Sequence, residues 1–298
     1  MIKNFDKLLE KVKKFPSKKV VIPGADTKTA IYAATLAKVE GIADFLLIGN
    51  KKKILSYIEM IEESMLDAFE IIDESDPVKC VQKAVESIHK KKADLILKGN
   101  TSTSQLMKGV LDKENGLQTG NLLSDVFIFE TKDRLTLMTD GGIVLYPEIK
   151  EKIALINNAV KVAHHLENPN PKVALLGAVE VPNPKMPPTI DAAIIAQMSK
   201  RGQIKGCIVD GPFALDNAIS EEAAKIKGVV SPVAGNADIL IMPNIEAGNI
   251  FGKALTYYAH LRVAHVVMGA KAPILITSRA DDAETKLHSI ALGITCAY

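Results

Sequence analysis

The sequence predicts an α/β fold with a mainly parallel sheet, or two such sheets. Short apolar runs of strand length alternate with longer runs of helical periodicity along most of the chain. The short runs are nearly continuous in apolar content, which is typical of strands covered by helices on both faces. With 298 residues, the chain is long enough for two domains or one large one.

Eight apolar runs are the candidate strands, and most of them end at Gly, Asn, Asp or Pro, which favour turns. In chain order they are KKVVIPG from Lys18, ADFLLIGN from Ala43, FEIID from Phe69, ADLILKGN from Ala93, KVALLGA from Lys172, GCIVDGP from Gly206, ADILIMPN from Ala237 and APILITS from Ala272.

One interval breaks the βα alternation. Between Ser124 and Gly142, two strand-like runs flank a polar TKD turn, which predicts an antiparallel hairpin. A helical run from Glu148 to Leu166 follows, and then a segment with Pro169 and Pro171. We place a domain junction near the start of that helix; the proline-containing break is the alternative.

Composition excludes several classes of partner and site. A net charge of +2 does not favour nucleic acid or a membrane surface as a partner, and no apolar run approaches a membrane span. Cys80, Cys207 and Cys296 are odd in number and far apart, so neither a disulfide framework nor a zinc site is expected. The N-terminus reads as an amphipathic helix rather than a signal peptide, and a cytoplasmic location fits best.

The histidines are not expected to form a metal site. His164 and His165 fall in a helical run without a ligand-spaced partner, and His260 and His265 are five apart on an expected helix, which is poor spacing for two ligands. The chain also has no P-loop, no G-x-G-x-x-G after a strand and no G-x-S-x-G motif.

Ligands of open α/β sheets bind where strands end and helices begin, and the segment from Leu97 to Leu111 is the first such loop with unusual polar content. A helix expected to start near Ser102 offers N–H groups and a dipole that suit a phosphate. An N-cap alone needs one hydroxyl, whereas four follow in a row here. The residues assigned to phosphate are Asn100, Thr101, Ser102, Thr103 and Lys108.

Two later segments carry weaker signals. In VDGPFALDNAIS, Asp216 is expected to begin a helix as an ordinary cap. From Ser231 to Leu255, loops of small residues flank one buried strand and would let a long ligand approach the backbone, although each loop alone is an ordinary turn. The residues assigned to this groove are Pro232, Gly235, Asn244, Gly248 and Asn249.

The last loop, in APILITSRADD, places Ser278 and Arg279 at a strand end before the final helix. Asp281 or Asp282 is expected to cap that helix. A cap does not explain Arg279, because a cation near a helix N-terminus opposes the dipole. A bound anion does, since the guanidinium suits phosphate oxygens in bidentate fashion.

Taken in order, KGNTSTSQLMKGVL, VDGPFALDNA, SPVAGNADILIMPNIEAGNIFGKAL and APILITSRADD resemble the phosphate acetyl/butyryltransferases over nearly the whole chain. The passage from Ile274 directly into Ser278-Arg279 is more similar to the butyryl branch than to the acetyl branch. The resemblance implies two three-layer α/β/α domains around an interdomain cleft, as in isocitrate and isopropylmalate dehydrogenases. It places the domains at residues 1–146 plus 278–298 and 147–277.

The resemblance also implies a reaction and roles. A short-chain acyl group, butyryl in preference, would move reversibly between coenzyme A and inorganic phosphate, with no cofactor or metal, in a homodimer or higher homo-oligomer. Arg279 would hold the phosphoryl group and Ser278 would stabilise the reacting carbonyl oxygen. Lys108 stands where the family has a basic phosphate ligand, and Asp282 is favoured over Asp281 and Glu284 as base toward the thiol. An acetyl-specific or broad-range acyltransferase, an isocitrate-type dehydrogenase and a non-catalytic CoA- or acyl-binding protein are the alternatives.

Overall fold

The computed structural model describes residues 1–277 and 281–297 of the chain, which form two compact units. The outer unit comprises Phe5–Asn121 and Ala264–Tyr298, and the middle unit comprises Met1–Asn4 and Leu122–Val263. The sequence-based limits at residues 146 and 277 assign the hairpin to the first domain, whereas its strands lie in the middle unit. Those limits stay a prediction.

The strands of the outer unit form a sheet in the order β3-β2-β1-β4-β11-β10. All neighbouring pairs from β3 to β11 are parallel, and β10 is antiparallel to β11. The strands are β1 (Lys18–Pro23), β2 (Ala43–Gly49), β3 (Glu70–Asp73), β4 (Leu95–Leu97), β10 (Val263–Met268) and β11 (Ile274–Leu275).

Helices cover both faces of this sheet. Four of them pack together, α1 with α11, α11 with α2 and α2 with α3, while α4 packs on α5 and on β1. Side chains in the centre of β1 and β2 are buried, as expected for strands covered on two sides. The helices are α1 (Phe5–Val12), α2 (Lys28–Val39), α3 (Lys51–Glu62), α4 (Pro77–His89), α5 (Thr103–Val110) and α11 (Ala283–Cys296), with a 3₁₀ turn at Glu63–Met65.

The strands of the middle unit follow the order β5-β6-β9-β7-β8. The predicted hairpin is confirmed as the antiparallel pair of β5 and β6, and the other neighbouring pairs are parallel. The strands are β5 (Ser124–Glu130), β6 (Leu135–Thr139), β7 (Lys172–Leu176), β8 (Ile208–Phe213) and β9 (Ile239–Ile241).

A cluster of buried side chains forms one core of the middle unit. Phe127, Met138 and Leu240 come from its strands, and Ala247 and Phe251 pack on them from a helix. On the sheet, α6 packs against β5, β6 and β9, and α7 packs against β7 and β8. The helices are α6 (Ile149–His165), α7 (Pro187–Lys200), α8 (Leu215–Ile219), α9 (Glu221–Ile226) and α10 (Ile245–Tyr257).

These arrangements confirm the predicted α/β class with mainly parallel sheets. All eight predicted strands are present, although β4, β9 and β11 are much shorter than their apolar runs. No helix in the described part of the chain combines the length and apolar content that a membrane span requires.

Two local predictions were wrong. His260 and His265 do not share a helix, because α10 ends at Tyr257, His260 has a positive φ of 50°, and His265 lies in β10. No Gly or Pro marks that break, so apolar spacing alone suggested a longer helix. Asp216 does not cap α8: the N-cap residue is Ala214, and Asp216 lies in the first turn and pairs with Lys227.

Candidate active site

The carboxyl ends of β1, β4 and β11 lie at one edge of the outer sheet, because these strands are parallel neighbours. The loop after β4 is held on both sides. Lys98 N–H donates to Leu275 O (2.9 Å), and Asn100 N–H donates to Gly24 O (2.6 Å). The predicted phosphate loop therefore lies beside the strand that leads to Ser278 and Arg279.

Glycines make this arrangement possible. A Cβ atom at Gly99 would fall inside van der Waals contact of the Gly24 carbonyl, and one at Gly24 would lie 3.0 Å from the Asn100 backbone. Gly24 also has a φ of +70°, which L side chains rarely adopt. The two loops thus cross backbone to backbone at the edge where ligands of parallel sheets bind.

The hydroxyl groups after β4 have different environments. Ser102 caps α5: its Oγ accepts the Gln105 N–H (3.0 Å), and Gln105 Oε1 accepts the Ser102 N–H (2.9 Å). Thr101 is fully buried, and its Oγ1 has no hydrogen-bond partner among the described residues. Asn100 and Thr103 are exposed. The structure therefore leaves these two residues open to solvent at the helix start, while Ser102 already serves as a cap.

Two lysines belong to this loop region. Lys98, which sequence reasoning did not single out, is 9% exposed, and its Nζ donates to the carbonyls of Thr101 (3.3 Å) and Gly99 (3.4 Å). A cation at the end of an otherwise apolar strand was the available signal. Lys108 is exposed in the last turn of α5 and lines a groove of roughly 1180 Å³ between α4 and α5. It lies about 9 Å along the helix from Ser102.

The predicted catalytic pair Ser278 and Arg279 lies outside the described residues. Thr277, immediately before it, is 3% exposed. After it, Asp282 caps α11, with Oδ1 accepting the Thr285 N–H (2.8 Å). Burial raises the pKa of Asp282, but hydrogen bonds from Thr285 and the charges of Lys286 and His288 outweigh it, so the pKa lies below its usual value.

A second buried lysine lies in the first turn of α11. Lys286 is 5% exposed, and its Nζ donates to the backbone oxygen of Asp281. Burial lowers the pKa of this ammonium, while the charges of Asp281 and Asp282 act in the opposite direction. A buried cation beside Asp282 favours the ionised form of that carboxyl.

In the middle unit, the carboxyl ends of β6, β9, β7 and β8 share one edge of the sheet. At this edge, α10 begins with Asn244, whose Oδ1 accepts the Ala247 N–H (2.9 Å). Gly248 and Asn249 follow in the first turns of the same helix. The structure therefore brings these three predicted groove residues together at a ligand-binding edge.

Pro232 and Gly235 lie elsewhere, because they precede β9 whereas Asn244 follows it. Gly235 has a φ of +72°, and a Cβ there would lie 2.5 Å from Glu221 Cα. Packing against α9 thus explains this glycine. The structure separates the two predicted loops by the length of β9.

Sequence reasoning missed the loop after β6. Asp140 is 2% exposed, and its carboxylate accepts three backbone N–H groups. Burial, and then the neighbouring Asp125 carboxyl, raise the pKa of Asp140 to about 6, although the N–H groups of Gly142, Ile143 and Asp125 act to lower it. The Asp-Gly-Gly sequence was the available signal, since it combines a turn with a carboxylate.

No cluster of three or more His, Cys, Asp or Glu residues suited to a metal ion occurs within the described ranges. The groups available at the two sheet edges are backbone N–H groups, hydroxyls, lysines and carboxylates. These can hold an anion and exchange protons.

Comparison with known proteins gives the class and then the family. The fold matches the branched-chain phosphotransacylase of Enterococcus faecalis, with a TM-score of 0.84 and 30% identity, covering 94% of this chain and 99% of that one. The chain is thus an α/β protein of phosphotransacylase architecture. Residues 76–294 match the family described as "Phosphate acetyl/butaryl transferase". The chain belongs to this phosphate acetyl/butyryl transferase family.

Two relatives extend this finding. The protein named phosphate butyryltransferase of Clostridium acetobutylicum is 49% identical over all of this chain and 99% of its own length. The protein named phosphate acetyltransferase of Thermotoga maritima is 44% identical over 94% of this chain and 95% of its own length. The resemblance seen in the sequence motifs is confirmed, and the chain is a transferase of this family.

Proposed function

We propose that the protein transfers a short-chain acyl group reversibly between coenzyme A and inorganic phosphate, with butyryl as the preferred group. The observation that carries the proposal is the full-length identity of 49% to a protein named phosphate butyryltransferase. The 44% identity to a protein named phosphate acetyltransferase supports acetyl as the second candidate.

The proposed reaction is a direct transfer within a ternary complex. The CoA thiolate attacks the carbonyl carbon of the acyl phosphate. A C–S bond forms, and the bond between the carbonyl carbon and the bridging phosphate oxygen breaks. Phosphate leaves, and the thiol proton passes to the base and then to solvent or phosphate. Holding both substrates in line supplies much of the rate.

In this proposal, the residues that bind phosphate belong to the outer unit. Arg279 binds the phosphoryl oxygens, and Ser278 donates a hydrogen bond to the developing oxyanion. The hydrogen bond from Lys98 N–H to Leu275 O, which joins the loop after β4 to β11, supports their joint action with Asn100 to Thr103 and Lys108. The buried ammonium groups of Lys98 and Lys286 add positive charge to the same unit.

Asp282 is the proposed base toward the thiol. A thiol with a pKa of about 8.5 is mostly protonated at neutral pH, so a neighbouring base raises its reactivity. The lowered pKa of Asp282 supports this role in one respect, because the carboxylate stays ionised at neutral pH. Asn244, Gly248 and Asn249, with Pro232 and Gly235, are the proposed CoA contacts of the middle unit.

The proposal also covers the location, the oligomeric state and the partners of the protein. Cys80, Cys207 and Cys296 are free thiols, which supports the cytoplasm as the location and can be checked by cell fractionation. Exposed apolar side chains on and after α10, among them Ile250 and Tyr258, support a homodimer or higher homo-oligomer, which light scattering would measure. Acyl-CoA and phosphate are the proposed partners, without nucleic acid, membrane, metal or cofactor.

The test is a thiol-release assay with acyl-CoAs of graded length, with and without phosphate, before and after treatment with a chelator. We expect phosphate-dependent release that is fastest with butyryl-CoA and unchanged by the chelator. Fastest release with acetyl-CoA would favour the second candidate. CoA binding without phosphate-dependent release would favour the non-catalytic alternative.

Arg279 gives the sharpest variant. We expect Arg279→Ala to lower the phosphate-dependent rate by at least about 100-fold, because the leaving phosphate loses a charged bidentate contact. Arg279→Lys keeps the charge but cannot form the bidentate pair of hydrogen bonds, so it should recover part of the rate. Circular dichroism controls for folding. Near-wild-type turnover of a folded Arg279→Ala protein would contradict the assigned role.

A further inference from the structure

The loop after β6 is organised by one buried carboxylate. Asp140 Oδ1 accepts the N–H groups of Gly142 (2.6 Å) and Ile143 (2.7 Å), and Oδ2 accepts the N–H of Asp125 (2.8 Å). Charge-assisted hydrogen bonds of this kind are short and strong. One side chain therefore fixes the turn at Gly141 and Gly142 and joins it to the start of β5.

This turn lies directly against α10. A Cβ at Gly248 would collide with the carbonyl oxygen of Asp140, and one at Gly141 would lie 3.0 Å from the carbonyl carbon of Gly248. Asn249 Nδ2 donates to Gly141 O (3.0 Å). Backbone thus packs on backbone, so a shift of the turn is transmitted to the helix without a flexible side chain between them.

Two further hydrogen bonds join the same segments. Met242 N–H donates to Thr139 O (2.8 Å), and Ile245 N–H donates to Leu145 O (2.8 Å). The chain after β6 and the chain after β9 therefore enter α10 as one bonded assembly. Asn244, Gly248 and Asn249, the proposed CoA contacts at this sheet edge, all belong to it.

We propose that Asp140 is a positioning residue for the CoA-binding surface, acting through the Gly141–Gly142 turn on the start of α10. The inference rests on the proposed function for the identity of the ligand. Asp140 is buried, so it does not touch the substrate itself. Its removal changes the shape of the surface formed by Asn244, Gly248 and Asn249, whereas the phosphate contacts of the outer unit are built from other elements.

The first variant is Asp140→Asn, which nearly preserves shape. Its amide oxygen can still accept from Gly142 and Ile143, but its Nδ2 then faces the Asp125 N–H, and two donors oppose each other. Gly141→Ala is the second variant, because it disturbs the contact with Gly248 and leaves the carboxylate in place. We expect both variants to raise the KM for CoA about tenfold, with the KM for phosphate and kcat changed by less than about threefold.

Asp238→Asn is the matched control. Asp238 is also a carboxylate of the middle unit that accepts a backbone N–H, that of Lys172 (2.9 Å), and it pairs with Arg134. Its loss should lower the thermal midpoint without changing either KM. This comparison separates positioning from general destabilisation, because a purely structural effect would appear in both aspartate variants alike.

Calorimetric titration of CoA provides a readout that needs no turnover. We expect the Kd of Asp140→Asn for CoA to rise about tenfold relative to wild type. Wild-type protein that binds CoA but releases no thiol with phosphate would overturn the proposed function, and the Kd comparison would still test Asp140. An unchanged Kd and KM for CoA in folded Asp140→Asn and Gly141→Ala, or equal increases in Asp238→Asn, would overturn the inference.

Discussion

Asp282 is the N-cap of α11 and the proposed base, and a single substitution can separate these two roles. As N-cap of α11, it needs only an acceptor oxygen, which Asn also supplies. As base, it needs a carboxylate. Asn keeps the cap but loses the charge interactions with Lys286 and His288, so we expect Asp282→Asn to lower the free energy of unfolding by less than Asp282→Ala does. We expect it to lower the rate of thiol acylation about 100-fold.

Asp282→Ala is the control for the cap. It should lose about 1 kcal/mol of stability along with the rate. Urea unfolding and initial rates with acyl phosphate and CoA measure the two effects. An Asp282→Asn protein as fast as wild type would leave Asp282 a cap only and direct the search for the base to Asp281 and Glu284.

The raised pKa of Asp140 predicts that the stability contributed by this residue falls as the pH rises. The carboxyl ionises near 3.8 when unfolded and near 6 when folded, so the folded state binds more protons between these values. The stabilisation is fully present below about pH 3.8 and is lost as the pH rises through about 6. Its upper bound is on the order of 3 kcal/mol, at about 1.4 kcal/mol for each unit of pKa.

Asp140→Asn cannot titrate and removes this component. The difference in unfolding free energy, wild type minus variant, should therefore be larger at about pH 4.5 than at about pH 7.5. Urea unfolding at both values measures it, and groups that do not interact with Asp140 cancel between the two proteins. A difference that does not change with pH would show that Asp140 has the same pKa in both states.

Within α10, alanine substitutions at two glycines four residues apart should have opposite effects on stability. A Cβ at Gly252 would lie 3.5 Å from Met138 Cε, an ordinary contact, whereas one at Gly248 would collide with the Asp140 carbonyl. Gly252→Ala should stabilise the protein by about 0.5–1 kcal/mol, because alanine favours a helix over glycine. Gly248→Ala should destabilise it by about 1–3 kcal/mol through overpacking.

Chemical denaturation of both variants tests this pair, and CoA affinity provides a second measurement. We expect weaker CoA binding only in Gly248→Ala. Equal stabilisation by the two substitutions would mean that the loop after β6 moves away from α10 without cost, which would also weaken the positioning role of Asp140.

Elements with strong local signals were predictable. The eight apolar runs became strands because burial on two faces requires continuous apolar sequence. Ser102, Asn244 and Asp282 are helix caps because each precedes a helical segment with a side-chain acceptor. β10 was not predicted, since the run from α10 into Val263 contains neither Gly nor Pro, and its strand state depends on pairing with β11.

At the scale of the molecule, each unit has one edge at which the carboxyl ends of parallel strands meet. Parallel pairing places the ends of β1, β4 and β11 together in the outer unit and the ends of β6 to β9 together in the middle unit. Helices begin at both edges, and their N-terminal residues are polar or small. This distribution agrees with a reaction that needs a compact anion and a long thiol-bearing ligand.

The sequence by itself determined the α/β class, the family and the position of the Ser278-Arg279 motif, because these depend on local composition and motif order. The tertiary structure alone decided that Thr101 is buried. It also placed Gly235 against Glu221 and made Asp140 the centre of a loop. These depend on strand register and on which backbones cross, and a one-dimensional pattern does not specify such long-range contacts.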